Sequence, residues 1–299
     1  MTLRKGPDHV VEIGATGLKS PPLGWGMWRF QGEDVKAARA RVDAALDIGV
    51  TLFDTADIYG FTGSTGFGDA EALFGRVLKE DPALRGRIIL ASKGGITPPR
   101  PYDSSATYLI EACENSLKRL QTETIDLYQI HRPDLLAHPA EVARALDQLK
   151  RQGKIRSAGV SNHTAAQTAA LIAHLPFKLA SIQPEFSPLA IDTLSDGVLD
   201  QAMQHQFEVL AWSPLAQGRL GGEGGDERSK RVIAALDAIA SRDGVSRTAV
   251  AYAWVIAHPA RPIALIGTQT PERIREAADA YKVNLTRDDW YQVLVASRG

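Results

Sequence analysis

Short apolar runs rich in β-branched residues alternate with segments of helical spacing from about residue 23 to the end of the chain. Eight such runs read as strands: PLGWG, VTLFDTA, RIILASK, TIDLYQIH, IRSAGVSN, LASIQP, FEVLAW and PIALIG. Between them, AARARVDAALDIG puts Ala38, Val42, Ala45 and Leu46 on one helical face. SATYLIEACENSLKRL does the same with Leu109, Ala112, Ser116 and Leu117. PAEVARALDQLKRQG opens with Pro139 in a first turn and stops at Gly153. TPERIREAADAY carries Thr270 as a cap and Pro271 just inside it, and the apolar face of AVAYAWVIAHP places Trp254 in the core.

Strands separated by helices predict a parallel sheet, and eight βα units predict closure into a (β/α)8 barrel rather than an open sheet. An open dinucleotide-binding sheet carries G-x-G-x-x-G after its first strand. The nearest fragments here, GWGMW and GFGDAE, lack the third glycine. Upstream, HVVEIGATGLKS reads as a β-hairpin with turn glycines, placed to cap the bottom of the barrel, and a final helix bearing Trp290 packs on its side. QGRLGGEGGDERSK reads as a mobile glycine-rich loop, too short to link domains. Length alone suggests about two domains, but barrels reach this size as one, so residues 1–299 are expected to form a single domain.

Composition narrows the function. The formal charge of −1 offers nothing to a polyanion, so nucleic acid is not an expected partner. No apolar stretch is long enough to span a bilayer and none follows MTLRKGPDHV, so neither a membrane partner nor a secretory signal is expected, and the predicted location is cytoplasmic. A lone cysteine, Cys113, fits a reducing compartment, and its helical neighbours give it a packing role rather than a nucleophilic one.

The candidate chemistry sits at strand ends: Asp54 and Tyr59 in TLFDTADIYG, Lys93 in RIILASKGG and His131 in IDLYQIHRPD. Barrel enzymes keep their catalytic groups there. A phenol is a poor acid–base group near neutral pH, but an ammonium beside it stabilises the phenolate. Lys93 supplies that charge, Asp54 offsets the cost of holding it in a pocket, and His131 orients a carbonyl oxygen. Carbonyl reduction also needs a hydride from a cofactor. Ser161, Asn162 and Gln183 offer hydroxyl and amide groups that could fix a nicotinamide carboxamide, and Trp212 offers a flat face to its ring. Arg219 follows in QGRL, while Thr268 and Arg273 lie beside a helix N-terminus, a place suited to a phosphate.

These motifs together, D-T-A-D-I-Y-G, S-K-G, I-D-L-Y-Q-I-H-R-P-D, G-K-I-R-S-A-G-V-S-N, W-S-P-L and G-T-Q-T-P-E-R-I, resemble the aldo-keto reductases over nearly the whole chain. The I-H-R-P-D and A-W-S-P-L-A-Q-G-R-L forms are most similar to a bacterial branch, the YdhF-type oxidoreductases. The resemblance implies an (α/β)8 barrel that reduces aldehydes or ketones with NADPH, acting as a monomer on a small carbonyl substrate. It implies Tyr59 as general acid, tuned by Lys93 and Asp54, with His131 positioning the carbonyl. Ser161, Asn162 and Gln183 would hold the nicotinamide amide and Trp212 would stack on its ring. Ser213, Leu215, Gln217, Gly218 and Arg219 would follow the pyrophosphate, and Thr268, Arg273 and Glu276 the adenosine end. Gly26, Met27 and Trp28 would meet cofactor and substrate. Many relatives carry a lysine beside the 2′-phosphate where this chain has Gly267, and asparagine where it has Ala277. The missing lysine weakens the preference for NADP over NAD, whereas Arg273 favours it.

Taken singly, Asp54 with Lys93 fits a structural ion pair, His131 a satisfied strand-end histidine and Trp212 a core anchor. Their joint order argues for a site. A metal-dependent barrel hydrolase would need clustered ligands, and neither H-x-H nor H-E-x-x-H occurs. The remaining alternative is a nicotinamide-nucleotide-binding sensor or regulatory protein with slow or no turnover.

Overall fold

The computed structural model describes residues 6–13, 17 and 19–299. Two short strands, β1 (Val11–Glu12) and β2 (Lys19–Ser20), pair antiparallel as the expected hairpin, although Gly14 of its turn lies outside the described residues. Each of the eight apolar runs becomes a barrel strand: β3 (Leu23–Gly26), β4 (Leu52–Asp54), β5 (Ile89–Gly94), β6 (Ile125–Ile130), β7 (Ile155–Ser161), β8 (Ser181–Gln183), β9 (Glu208–Ala211) and β10 (Ile263–Ile266). They pair in parallel and close in the order β10-β3-β4-β5-β6-β7-β8-β9.

Helices return the chain between strands, namely α1 (Val35–Asp47), α2 (Asp69–Glu80), α3 (Ala106–Leu120), α4 (Pro139–Arg151), α5 (Ala165–Ile172), α6 (Val198–His205), α7 (Glu227–Asp243) and α8 (Arg247–Ile256), and α9 (Pro271–Glu276) and α10 (Arg287–Arg298) follow the last strand. Local sequence sets their ends. Asp34 caps α1 by accepting from the Ala37 amide, Ser105 caps α3, and Thr164 with Gln167 forms a capping box on α5. Pro139 occupies the first turn of α4, and Gly153, at φ 72°, lies just past its end.

Two expectations are corrected. TPERIREAADAY does not form one helix: α9 stops at Glu276 and Ala277–Lys282 tightens into 3-10 geometry. This second half packs on α8 while α9 packs on α1, and the winding changes where the packing partner changes. The glycine-rich segment is not one loop either. Ala216–Gly221 winds into 3-10 turns kinked at Gln217 and Gly218, and Asp226 caps α7, so its last residues are helical.

Strand side chains alternate between two cores. Those pointing out, such as Phe53, Leu90, Tyr128 and Val160, meet the helices. Those pointing in fill the lower barrel with Leu52, Ile89, Ala91, Leu127, Leu210, Ile263 and Leu265, and Val11 and Ile13 of the hairpin segment join them as a bottom plug. Trp254 and Trp290 stack with centroids 4.7 Å apart, and each indole N–H donates to the other residue's carbonyl, which fixes α10 to α8.

Candidate functional site

Above the apolar layer the barrel interior turns polar. One period of two further along each strand, Leu52 gives way to Asp54, Ala91 to Lys93, and Leu127 to Gln129 and then His131. The register brings them to one level, with Asp54 beside Ala91, Lys93 beside Gln129 and Ser161 beside Gln183. Lys93 is fully buried, and its ammonium uses all three protons. Nζ donates to Asp54 Oδ2 at 2.6 Å, to the Thr55 carbonyl at 2.9 Å and to the Tyr59 hydroxyl at 3.1 Å. The other Asp54 oxygen accepts from Gln129 at 3.2 Å and Gln183 at 3.0 Å. The His131 ring meets the Tyr59 ring edge-on, with centroids 5.7 Å apart. The four sequence-distant residues therefore form one contiguous cluster at the barrel mouth.

Their charge states follow from burial. Burial pushes the Tyr59 phenol above its ordinary value, and the opposing pull of Lys93 does not reverse this, so the hydroxyl is protonated at neutral pH. The expectation that Lys93 brings the phenol below its ordinary value is thus corrected, because desolvation outweighs the ammonium. Burial also acts against the Lys93 charge, but Asp54 and then Tyr59 outweigh it and hold the ammonium above its ordinary value. Burial, with Lys93 and Arg132 adding to it, holds the His131 imidazole well below its ordinary value and hence neutral.

The residues expected around a nicotinamide also gather at this mouth. Asn162, at φ 58°, donates to Ser161 Oγ at 2.8 Å and to the His131 carbonyl at 3.3 Å, and accepts the Trp212 indole N–H at 2.9 Å. Ser161 donates to the Gln183 carbonyl. Gln183 gives its amide to Asp54, while its Oε1 accepts from no described residue. Ser213, half-buried Leu215, Gln217, Gly218 and Arg219 follow β9, with Ser213 and Gln217 in the left-handed region beside Gly218. Past β10, Gly267 leaves open space where a Cβ would sit, and Arg273 is exposed with no described partner. Thr268 accepts the Trp25 indole N–H at 3.0 Å through its carbonyl, and Glu276 accepts from Thr248 at 3.5 Å. These features fit a dinucleotide: an open amide acceptor and an indole face at one end, an uncommitted guanidinium at the other. The six-residue α9 is too short for its terminus to add much to phosphate binding.

Two expected contacts do not share one fate. Trp28 is 61% exposed at the end of β3, open to a ligand. Met27 is fully buried with Trp25 and Phe30, so its side chain packs the core and does not face the mouth. Sequence reading missed three participants. Gln129 was marked by the period of two back from His131, and Arg132 by its place directly after it. The Thr55 carbonyl carried no sequence signal. Cys113 is buried and its thiol is pushed up to about 12, in keeping with packing. Among the described residues no group of three or more His, Cys, Asp or Glu could hold a metal ion, and no helix is long and apolar enough to cross a membrane.

A model of the aldo/keto reductase family matches residues 22–295. The chain is 55% identical to a 6-dehydroglucose reductase of Novosphingobium aromaticivorans, covering 98% of this chain and 97% of that protein. It is 38% identical to the oxidoreductase YdhF of Escherichia coli, covering 97% of each. The glycerol dehydrogenase of Gluconobacter oxydans superposes with a TM-score of 0.84 at 28% identity, over 96% of this chain and 94% of that one.

Proposed function

The chain belongs to the aldo/keto reductase family, and from that premise we propose that it is an NADP(H)-dependent reductase of aldehyde carbonyls, with sugar-derived aldehydes as the substrate class. The substrate class comes from the 6-dehydroglucose reductase it resembles. The observation that carries the reading is the single ammonium, Lys93 Nζ, bonded to both the Asp54 carboxylate and the Tyr59 hydroxyl beside a neutral imidazole.

A reduced nicotinamide, when bound, supplies the hydride to the carbonyl carbon. Tyr59 supplies the proton to the carbonyl oxygen and is left as a phenolate facing Lys93. His131, being neutral, donates a hydrogen bond to that oxygen without placing a second charge on it. Asp54 holds Lys93 in place. Gln183, Asn162 and Ser161 would meet the carboxamide and Trp212 the ring. Leu215, Gln217, Gly218 and Arg219 would line the pyrophosphate path, with Arg273 at the 2′-phosphate. Arg273 is the ground for naming NADP ahead of NAD, since a guanidinium pairs a phosphate through two hydrogen bonds.

Following NADPH absorbance with a panel of aldehydes tests this. Tyr59→Phe is expected to lower kcat about 10²–10⁴-fold, the usual contribution of a positioned general acid. Equal rates in wild type and variant would remove Tyr59 from the role. NADPH binding with no oxidation on any carbonyl would favour the sensor instead.

A further inference from the structure

Arg132 directly follows His131, two residues past the end of β6, and is half-buried at the rim of the site. Its guanidinium lies over the Trp212 indole, 5.8 Å from the ring centroid. No described residue accepts a hydrogen bond or forms an ion pair with it. Half-buried arginines usually find a partner, because their five donors are costly to leave unmet. Three carboxylates at or just past the ends of barrel strands are committed elsewhere. Asp54 is paired with Lys93, Asp134 takes the Ser104 and Leu136 amides at 2.8 and 2.9 Å, and Glu185 takes Gln217 at 3.3 Å. The charge acts on both Tyr59 and His131, which places it within electrostatic reach of the carbonyl position.

We propose that Arg132 is a specificity residue of this site, its planar fork gripping oxygen acceptors on the carbon chain beyond the carbonyl. The favoured substrates are therefore aldehydes bearing hydroxyl or carboxylate oxygens rather than plain alkyl aldehydes. A guanidinium suits this because two parallel N–H groups match either a carboxylate or a pair of vicinal hydroxyls. The contact with the edge of the site at Trp212, itself tied to Asn162, limits where the fork can point. The inference rests on the reductase reading and adds to it the group that selects the substrate.

Steady-state kinetics of the full chain with NADPH test it on two matched pairs: D-glyceraldehyde against propanal, and succinic semialdehyde against butanal. Within each pair the ratio of kcat/KM is independent of the fraction of active enzyme, so a partly misfolded variant still reports. In Arg132→Met at least one ratio is expected to fall about ten-fold or more, chiefly through KM, as loss of a charged hydrogen bond implies. Arg132→Lys keeps the charge but not the fork, and is expected to restore the semialdehyde ratio more than the glyceraldehyde ratio. The pair that falls identifies carboxylate or hydroxyl as the group read. Both ratios staying within about two-fold of wild type would overturn the inference and leave the reductase reading intact. No turnover of any of the four by the wild type would overturn both.

Discussion

Replacing Lys93 by methionine separates the value of the buried ion pair from the cost of breaking it. The charges lie 2.6 Å apart with side chains 0% and 2% exposed. At an effective dielectric of about 20 their attraction is about 6 kcal/mol, against a desolvation penalty of several kcal/mol for each ion. The intact pair is therefore close to balance, but removing one member leaves the other's desolvation uncompensated. Asp54 Oδ2 would lose its only described donor, while Oδ1 would keep Gln129 and Gln183. The expected loss for Lys93→Met is about 3–5 kcal/mol. Asp54→Asn strands the ammonium but leaves it Thr55 and Tyr59 as acceptors, so about 2–4 kcal/mol is expected. The double variant carries neither charge and is expected within about 2 kcal/mol of wild type, giving a coupling of about 3 kcal/mol or more. Urea unfolding followed by tryptophan fluorescence and by circular dichroism measures this, coincident transitions being required. Single variants that each lose under about 1 kcal/mol and add in the double would refute the reasoning.

Other outcomes follow from the same geometry. Arg273→Ala is expected to weaken NADPH binding about ten-fold or more while leaving NADH nearly unaffected, and an equal loss for both in a fluorescence titration would remove Arg273 from the 2′-phosphate. His131, His163 and His258 are each held below their ordinary value, burial being the leading cause. The unfolded chain takes up these protons first, so stability is complete above about pH 6.5 and is lost as pH falls below it. His131→Gln should flatten part of that decline in melting temperature between pH 7.5 and 5, and an unchanged slope would mean the imidazole is not desolvated as described. Trp290→Ala removes the Trp254 stack and the indole hydrogen bond to the Trp254 carbonyl, while the backbone carbonyl at position 290 remains to accept from the Trp254 indole. It is expected to cost about 3 kcal/mol in a denaturant melt, the low end for a buried tryptophan because Trp290 is only half-buried.

The sequence carried the barrel because its signals are local. Period-two runs and helical stripes each need only a few neighbouring residues, and eight of them in alternation leave little choice of topology. The site was legible for a related reason. All strands of a parallel barrel run the same way, so Asp54, Lys93 and His131 must end at one rim however far apart they lie in the chain. What sequence did not carry depends on sums over space. Tyr59 was expected to sit below its ordinary value from the charge of one neighbour, and it lies above because burial of the hydroxyl is larger. Met27 follows Gly26 directly, yet it shares the parity of Trp25 and packs beside it in the core, while Trp28 is left outside. The 3-10 segment after Glu276 has helix-forming alanines, and its contact with α8 outweighs them.

Under the proposed roles, the charge states explain why Lys93 acts on the transition state more than on the bound substrate. With Tyr59 protonated, His131 neutral and Lys93 matched by Asp54, a carbonyl oxygen enters among neutral donors and gains little from the ammonium. Charge appears near Lys93 only as the phenol gives up its proton, and the hydroxyl is already 3.1 Å from Nζ. Interactions that strengthen only at that point accelerate the step instead of merely tightening binding. Asp54 is needed for the same reason. An uncompensated Lys93 would favour the phenolate before substrate arrives, leaving no proton to donate, whereas the carboxylate at 2.6 Å holds the balance with the phenol intact.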